Sequence, residues 1–169
     1  MGYTKDSEGD GEGMDHEFYM GQALALAREA ERDGDVPVGC VIVRDGEIIG
    51  RGRNRREERG DATAHAELEA IRDACRRTGS WRLHHCVMYV TLEPCPMCAG
   101  GIINARIDTV RYGARDEKAG CCGSVLNLFE ERFNHRPRLY QGPLAEECEG
   151  ILQDFFENLR ENPKDLKLL

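Results

Sequence analysis

The chain has 169 residues, of which 40 % are hydrophobic, and this is enough for one domain with a single core. No run of apolar residues is long enough to cross a membrane. Residues 1–13 have neither the basic start nor the apolar segment of a signal peptide, so we expect a cytoplasmic protein. In that reducing compartment the eight cysteines favour metal binding or burial over a disulfide scaffold.

The formal net charge of −8 argues at first against a nucleic-acid partner, but the charge is unevenly distributed. The acidic excess lies at the two ends, whereas the middle of the chain is nearly balanced. Arginines cluster in that middle part in two places, residues 51–59 and residues 132–138. Local basic patches indicate phosphate binding better than net charge does, although such a cluster is equally compatible with a solvated loop.

The first half of the chain predicts a tail, two helices and a hairpin. Residues 1–14 are rich in glycine and acidic side chains and are predicted to be a disordered tail. A helix is predicted over residues 15–33, with Asp15 as its N-cap. The Asp45-Gly46 pair predicts a tight turn between strands at 38–43 and 47–54. An arginine-rich loop follows, and then a helix over 64–77 capped by Asp61 or Thr63.

The second half predicts strands that alternate with helices. We expect a strand at 87–92, a helix at 95–104 and a strand at 107–113. A loop with one or two helical turns near 124–129 leads to a weak strand at 138–140, a helix at 144–160 and a flexible tail over 161–169. Strand–helix–strand order implies parallel pairing. The predicted architecture is α/β: one domain over 15–160, whose sheet is antiparallel at the hairpin and parallel after it, with helices on both faces.

A Pro-Cys-x-x-Cys motif at residues 94–98 lies where a strand stops and a helix begins. Cys95 falls at the helix N-cap and Cys98 one turn later, while Pro96 takes a position where its missing N–H costs nothing. Both sulfurs therefore face the helix N-terminus, where the helix dipole and unpaired N–H groups favour thiolates. This spacing is common among zinc ligands, but two thiolates leave a tetrahedral zinc half-coordinated.

A His-x-Glu pair, His65 and Glu67, begins the preceding helix and supplies what the cysteines lack. Residues two apart lie about 200° apart around a helix, so the pair can act on one ligand only at a helix end. His65, Cys95 and Cys98 then give three ligands and leave a fourth position for water, the pattern of catalytic zinc. Zinc lowers the pKa of water towards neutrality, and Glu67, close to the metal but not a ligand, is expected to be the general acid/base.

The two motifs together resemble those of the cytidine-deaminase-like superfamily of zinc nucleobase deaminases. The likeness to one family within it, the bacterial tRNA-specific adenosine deaminases, extends over roughly residues 15–160. It is carried by residues 36–39, 52–54, 63–67, 91–100, 113–116, 134–136, 144–148 and 154–156. The resemblance implies a three-layer α/β/α sandwich with a mixed five-stranded sheet, one zinc ion per subunit and a homodimer. The implied reaction is hydrolytic conversion of adenosine to inosine at the wobble position of a tRNA anticodon loop, in an arginine tRNA.

The same resemblance assigns further residues to the RNA substrate. Asn54 is expected to hydrogen-bond the flipped nucleoside. Flanking nucleotides are expected to contact Asp116, Lys118, Asn134 and Phe156. Charge alone adds Arg53 and Arg136 as phosphate candidates. Structural alternatives are a turn residue for Asn54, a cap for Asp116 and core packing for Phe156.

Two other functions would use the same motifs. A deaminase of a free base or nucleoside, such as guanine or cytosine, needs the same four site residues but has no need of Asn134, Arg136 or the arginine cluster. A non-catalytic RNA-binding module stabilised by zinc is the third possibility. Glu67 argues against the third, because structural zinc needs no adjacent carboxylate.

Overall fold

The computed structural model describes residues 14–162, so the predicted tails at 1–14 and 161–169 lie almost entirely outside the described residues. The helices are α1 His16–Arg32, α2 Arg56–Arg59, α3 Ala66–Thr78, α4 Pro96–Ala105 and α5 Ala145–Glu161. The strands are β1 Gly39–Arg44, β2 Glu47–Arg53, β3 Val87–Leu92, β4 Thr109–Ala114 and β5 Arg138–Gln141. Except for α2, these elements are confirmed to within two residues at each end. A single 3₁₀ turn, Leu128–Glu130, takes the place of the helical turns predicted near 124–129.

The first departure from prediction is α2, a four-residue helix inside the segment predicted as an arginine-rich loop. Its N-terminus lies against the fully buried side chain of Asp35. The two carboxylate oxygens of Asp35 accept the backbone N–H groups of Glu57 (2.7 Å) and Glu58 (3.2 Å). The helix therefore depends on a contact with a residue about twenty positions earlier, which local sequence does not reveal.

The second departure is the N-cap of α3, which is His65 and not Asp61 or Thr63. Asp61 instead accepts hydrogen bonds from the backbone N–H and the hydroxyl of Thr63, both at 2.8 Å. These bonds form a turn that precedes the helix. The predicted caps were wrong because a local Asx turn has the same sequence signature as a capping residue.

The sheet has the strand order β2-β1-β3-β4-β5. Strand β1 pairs antiparallel with both β2 and β3, whereas the β3–β4 and β4–β5 pairs are parallel. The predicted hairpin is confirmed, with Asp45 and Gly46 both at positive φ, as a two-residue turn requires. Because β2 pairs only with β1, it is an edge strand of the sheet. Strands β3 and β4 are parallel neighbours, so their carboxyl ends lie side by side.

Alternation along the strands gives the sheet two apolar faces. Cys40, Ile42 and Met88 point to the face covered by α3 and α4, and Val41 and Tyr89 point to the face covered by α1 and α5. Both faces are buried, so the predicted three-layer α/β/α arrangement is confirmed. No helix described within residues 14–162 combines the length and apolar character needed to cross a bilayer.

Helix α3 lies very close to β2, and a glycine permits this. A Cβ on Gly52 would overlap the carbonyl oxygen of Ala66 and the backbone nitrogen of Ala70. Since Ala66 opens α3, this close approach fixes where the helix begins relative to the sheet. It thereby fixes the position of His65 and Glu67.

Candidate active site

Three side chains with metal-binding atoms converge where α3 and α4 begin. His65 is the N-cap of α3 and Cys95 is the N-cap of α4, as the Pro-Cys-x-x-Cys motif predicted. Neither side chain makes the usual capping hydrogen bond to its helix, so both can turn towards a shared ligand. Cys98, buried in the first turn of α4, completes the group.

The spacing of these atoms fits a tetrahedral zinc ion. His65 Nδ1 lies 3.6 Å from Cys95 Sγ and 3.5 Å from Cys98 Sγ. Ordinary Zn–N and Zn–S bond lengths at a tetrahedral angle predict an N···S separation of about 3.6 Å. All three ligand atoms lie within 4.8 Å of one another, and within residues 14–162 no other group of histidine, cysteine and carboxylate atoms is spaced for a metal in this way. The donor set, two sulfurs and one imidazole, is one that zinc prefers.

The electrostatics of the cluster favour a thiolate. A hydrogen bond from Cys98, with a further one from His65, lowers the pKa of Cys95 to about 4. Hydrogen bonding to Cys95, burial and the nearby Glu67 carboxylate raise the pKa of Cys98 well above its ordinary value. The hydrogen bond with Cys95 also raises the pKa of His65. Negative charge is therefore concentrated on sulfur at the point where a cation would bind.

Glu67 lies beside this cluster without belonging to it. The side chain is buried, and burial raises the pKa of its carboxyl above the ordinary value, while Cys98 and His65 offset part of that effect. As the second residue of α3, Glu67 reaches the same point as His65 because that point lies at the helix end, as the sequence predicted. A buried carboxyl of raised pKa next to a metal site is suited to accept and release a proton.

A cavity of about 670 Å³ opens in front of the cluster. Its lining includes His65, Glu67 and Cys95, together with Leu152 and Phe156 of α5. Other lining residues come from the segment after β2 and from the loop of residues 114–119. This volume lies within the range of small-molecule and cofactor sites, which is about 300–1,000 Å³.

Four of the seven residues assigned to the substrate line this cavity: Asn54, Asp116, Lys118 and Phe156. Asn54 is only 7 % exposed, and its side chain donates to Val36 O (3.2 Å) and accepts from Arg56 N (3.1 Å). One amide hydrogen and one oxygen lone pair therefore remain for a ligand. Asp116 accepts the N–H groups of Lys118 (3.0 Å) and Ala119 (3.2 Å), which shapes the loop across the cavity.

The other three assigned residues lie outside the cavity. Asn134 and Arg136 are exposed in the loop before β5. Arg53, whose side chain is 15 % exposed, forms ion pairs with Asp33 (2.7 Å) and Glu29 (3.5 Å) of the α1 segment. The structure thus brings together the cluster of His65, Cys95 and Cys98, Glu67 and the four cavity residues, and separates them from these three.

Sequence reasoning missed Glu93, the residue before Pro94 and Cys95. Its carboxylate is 2 % exposed and accepts hydrogen bonds from Asp116 N (3.2 Å), Cys122 N (2.9 Å), Ser124 N (3.2 Å) and the Ser124 hydroxyl. Gly120 is packed so closely that a Cβ there would overlap this carboxylate. Glu93 therefore ties the loop of residues 115–125 to the start of α4. Its only sequence signal was an acidic residue directly before the metal motif.

Together the fold and the site define a deaminase of the cytidine-deaminase-like class. A solved structure from biochemical and structural studies of A-to-I editing by tRNA:A34 deaminases at the wobble position of transfer RNA superposes with a TM-score of 0.78. It is 44 % identical in sequence, and the match covers 80 % of this chain and 99 % of that one. The guanine deaminase from Bacillus subtilis gives a TM-score of 0.60 at 37 % identity, over 88 % of this chain and 95 % of that one.

Sequence comparison narrows the class further. The family described as MafB19-like deaminase matches residues 14–160. The tRNA-specific adenosine deaminase of Bacillus subtilis (strain 168) is 49 % identical over 149 residues, which is 88 % of this chain and 92 % of the relative. That of Streptococcus pyogenes serotype M18 (strain MGAS8232) is 46 % identical over 149 residues, or 88 % of this chain and 94 % of the relative. The chain belongs to the MafB19-like deaminases by its family match and to the tRNA-specific adenosine deaminases by its relatives.

Proposed function

We propose that this chain is a tRNA adenosine deaminase whose single domain, residues 15–160, converts adenosine to inosine by hydrolysis at the wobble position of an anticodon loop, in an arginine tRNA. The observation that carries the proposal is the identity of 49 % with a tRNA-specific adenosine deaminase over 88 % of the chain. The ligand geometry of His65, Cys95 and Cys98, with Glu67 beside it, supports the chemistry. A tRNA-modifying role also supports the cytoplasmic location expected from the sequence.

We further propose that His65, Cys95 and Cys98 hold one zinc ion per chain. Their N···S separations of 3.5 Å and 3.6 Å, and the thiolate character of Cys95, support this assignment. When bound, zinc would make a water molecule acidic enough to supply a nucleophile near neutral pH. His65 and Cys95 also line the cavity, so the protein would hold the ion beside the space that receives the base.

Glu67 is the proton carrier of the reaction. Its buried carboxylate lines the cavity together with His65 and Cys95, and there it takes a proton from the attacking water and delivers it to N1 of the adenine ring. A C6–O bond forms, the C6–N bond breaks, and Glu67 passes the second proton to the departing amino group. Adenosine and water are thus converted to inosine and ammonia.

Cavity residues hold the nucleotide in place for this step. Asn54 offers one donor and one acceptor to the nucleoside, and Phe156 offers an aromatic surface for stacking. Asp116 and Lys118 border the opening, where neighbouring nucleotides would lie. A wobble base is already unpaired in its loop, so its extrusion costs less than extrusion from a duplex. The exposed Asn134 and Arg136 are assigned to nucleotides farther along the loop, and Arg53 to a phosphate.

The test is an assay of zinc-loaded protein on an anticodon stem-loop with adenosine at the wobble position, with free adenosine, adenine, cytosine and guanine in parallel. Inosine formed only in the RNA supports the proposal. Deamination of free guanine or cytosine with the RNA unchanged supports the alternative of a free-base enzyme, to which the structural match with a guanine deaminase gives weight. The Glu67→Ala variant tests the mechanism. We expect it to keep its zinc content and fold while turnover falls about 10²–10⁴-fold. Unchanged turnover in that variant would refute the mechanism.

A homodimer is the remaining proposal drawn from the resemblance. Three large apolar side chains, Val125, Leu126 and Phe133, are about half exposed on the segment between β4 and β5. Exposed apolar patches are typical of protein interfaces, so these side chains are candidates for one. Sedimentation equilibrium would give twice the chain mass of 19.0 kDa if the chain dimerises, and the single chain mass if it does not.

A further inference from the structure

A second cavity, of about 300 Å³, lies along the edge strand β2 between α1 and α3. Six arginines and three carboxylates line it. The arginines are Arg51, Arg53, Arg55, Arg59, Arg76 and Arg77. We name this cavity the arginine groove. Cations are twice as numerous as anions in its lining, so it attracts anionic ligands.

Ion pairs hold the guanidinium groups of the groove in place without using up their charge. Asp73 accepts from both Arg76 (3.2 Å) and Arg77 (3.1 Å), and Glu69 pairs with Arg59 at 2.8 Å. Asp33 and Glu58, just outside the lining, also pair with Arg53, and even with these two added the arginines outnumber the carboxylates. Guanidinium groups that are oriented in advance lose less entropy when they bind phosphate.

Two positions in the groove have unused donors. Among residues 14–162, no carboxylate forms an ion pair with the guanidinium of Arg51, although its backbone N–H is bound by Asp73 at 2.9 Å. The Nε atom of Arg53 is buried and has no acceptor within the described part of the chain. A buried donor without an acceptor is costly, but this atom is enclosed by the protein. The exposed guanidinium of Arg51 is therefore the unpaired donor that an anionic oxygen of a ligand can reach.

The groove adjoins the catalytic cavity. Asn54 and Arg56 line the catalytic cavity, and their chain neighbours Arg53 and Arg55 line the groove. The groove extends along α3, which begins at the catalytic site and has Arg76 and Arg77 in its last turn. A helix of 13 residues is about 20 Å long, so the groove leads well beyond the reach of one flipped base.

Charge decides which of the two cavities can hold an RNA backbone. The lining of the catalytic cavity has six carboxylates against four lysine or arginine side chains, an unfavourable balance for phosphates. Its carboxylates are Glu67, Glu93, Asp116, Glu117, Glu149 and Glu157. An RNA that places a base in this cavity therefore needs positive charge elsewhere, and the adjoining groove provides it.

We propose that the arginine groove binds the sugar-phosphate backbone of the stem that adjoins the anticodon loop of the substrate tRNA. The inference rests on the proposed function for the identity of the RNA. It adds a second contact surface, outside the catalytic cavity, that sets affinity for RNA and leaves the chemical step to the zinc site. The phosphate role expected for Arg53 becomes one part of a larger surface.

The test uses the double variant Arg51→Gln/Arg76→Gln. Arg51 has no described ion pair, and the Arg76 side chain is 77 % exposed while Asp73 keeps its bond to Arg77, so the fold should be preserved. The matched control, Arg28→Gln/Arg82→Gln, removes the same charge from exposed positions that line neither cavity. Binding of a labelled anticodon stem-loop and the kinetics of its deamination are measured across a range of salt concentrations, with thermal unfolding as the check on folding.

We expect the groove variant to bind the stem-loop about tenfold more weakly, and the slope of log affinity against log salt to fall by about 1.5. KM should rise with kcat unchanged, and the control should match the wild type. A loop segment without its stem should bind both proteins equally. Unchanged affinity and salt slope in the groove variant would overturn the proposal, as would an equal loss for the stemless segment.

Two further measurements distinguish this proposal from a small-anion site and from the proposed deaminase function. Saturable binding of inorganic phosphate that the double variant abolishes, with RNA affinity unaffected, would make the groove a small-anion site and overturn the proposal. Binding is measured independently of turnover, so the proposed function and the groove can fail separately. Groove-dependent RNA binding without inosine formation would refute the deaminase assignment and support the groove.

Discussion

Glu93 offers a sharp test of how the catalytic cavity is assembled. Its two carboxylate oxygens accept four hydrogen bonds, three of them from backbone N–H groups of the loop of residues 115–125. Glu93→Gln keeps the shape of the side chain but replaces one acceptor oxygen with an NH₂ group. Wherever that NH₂ group is placed, it faces donors. The substitution therefore weakens the anchor of the loop while adding no volume.

The expected cost follows from the two possible orientations of the amide. With NH₂ at the Oε2 position, the N–H groups of both Cys122 and Ser124 lose their acceptor. With NH₂ at the Oε1 position, the Ser124 hydroxyl can rotate to accept, and only the N–H of Asp116 is left unpaired. The second orientation is cheaper. One buried unpaired N–H costs about 1–3 kcal/mol, and with the lost charge assistance the total is about 2–4 kcal/mol.

Denaturant unfolding and deamination kinetics measure this cost. A domain stable by about 5–15 kcal/mol remains folded after such a loss. Because the unpaired N–H belongs to Asp116 at the cavity edge, we expect kcat/KM on the RNA to fall about 10- to 100-fold, with zinc content unchanged. Glu131→Gln, the same change at an exposed position, should alter stability by less than about 0.5 kcal/mol. If Glu93→Gln behaved like this control in both measurements, the carboxylate would not be what holds the loop.

Two further predictions concern the frame and the metal. Gly52→Ala should destabilise the domain by about 1–3 kcal/mol in denaturant unfolding, because the added Cβ would overlap the backbone of α3. The control Gly21→Ala should be neutral or stabilising, because no atom lies within 4 Å of the added Cβ. Equal effects of the two substitutions on stability would contradict the close contact of Gly52 with α3. Removal of zinc by a chelator should lower Tm by about 10 °C, since a ligand far above its Kd contributes about 4 kcal/mol. The His65→Ala variant should lose bound zinc, so chelator should not change its Tm further. If chelator left the Tm of the wild-type protein unchanged, that result would count against the zinc site.

Most of the fold could be predicted because the decisive signals are local. The positive φ of Asp45 and Gly46 closes the hairpin, Asp15 caps α1, and Gly79 ends α3 in the left-handed conformation. In contrast, α2 depends on the buried carboxylate of Asp35, far away in sequence. A four-residue helix is too short to be stable without such a contact, and it is also too short to show helical periodicity in the sequence.

The site divides in the same way. The clustering of His65, Cys95 and Cys98 was predictable because all three lie at the N-terminal ends of their own helices. The sequence marks such a helix start by Pro96 and its neighbours. The arginines were not. Whether a guanidinium is paired depends on carboxylates brought from other elements, as Asp33 of the α1 segment is brought to Arg53. Charge in sequence therefore located a basic region but could not tell a paired arginine from an available one.

Two buried carboxylates, Asp35 and Glu93, anchor segments that line the cavity. Asp35 holds the segment that contains Arg56, and Glu93 holds the loop that contains Asp116 and Lys118. Each accepts backbone N–H groups, so each fixes the path of the chain and leaves the side chains of its loop available to a ligand. The proposed metal ligands depend on neither segment, since they lie at the N-terminal ends of α3 and α4. Rigid helices thus place the His–Cys cluster and anchored loops shape the cavity, so we expect that changes in the loops can alter the proposed RNA recognition without removing the cluster.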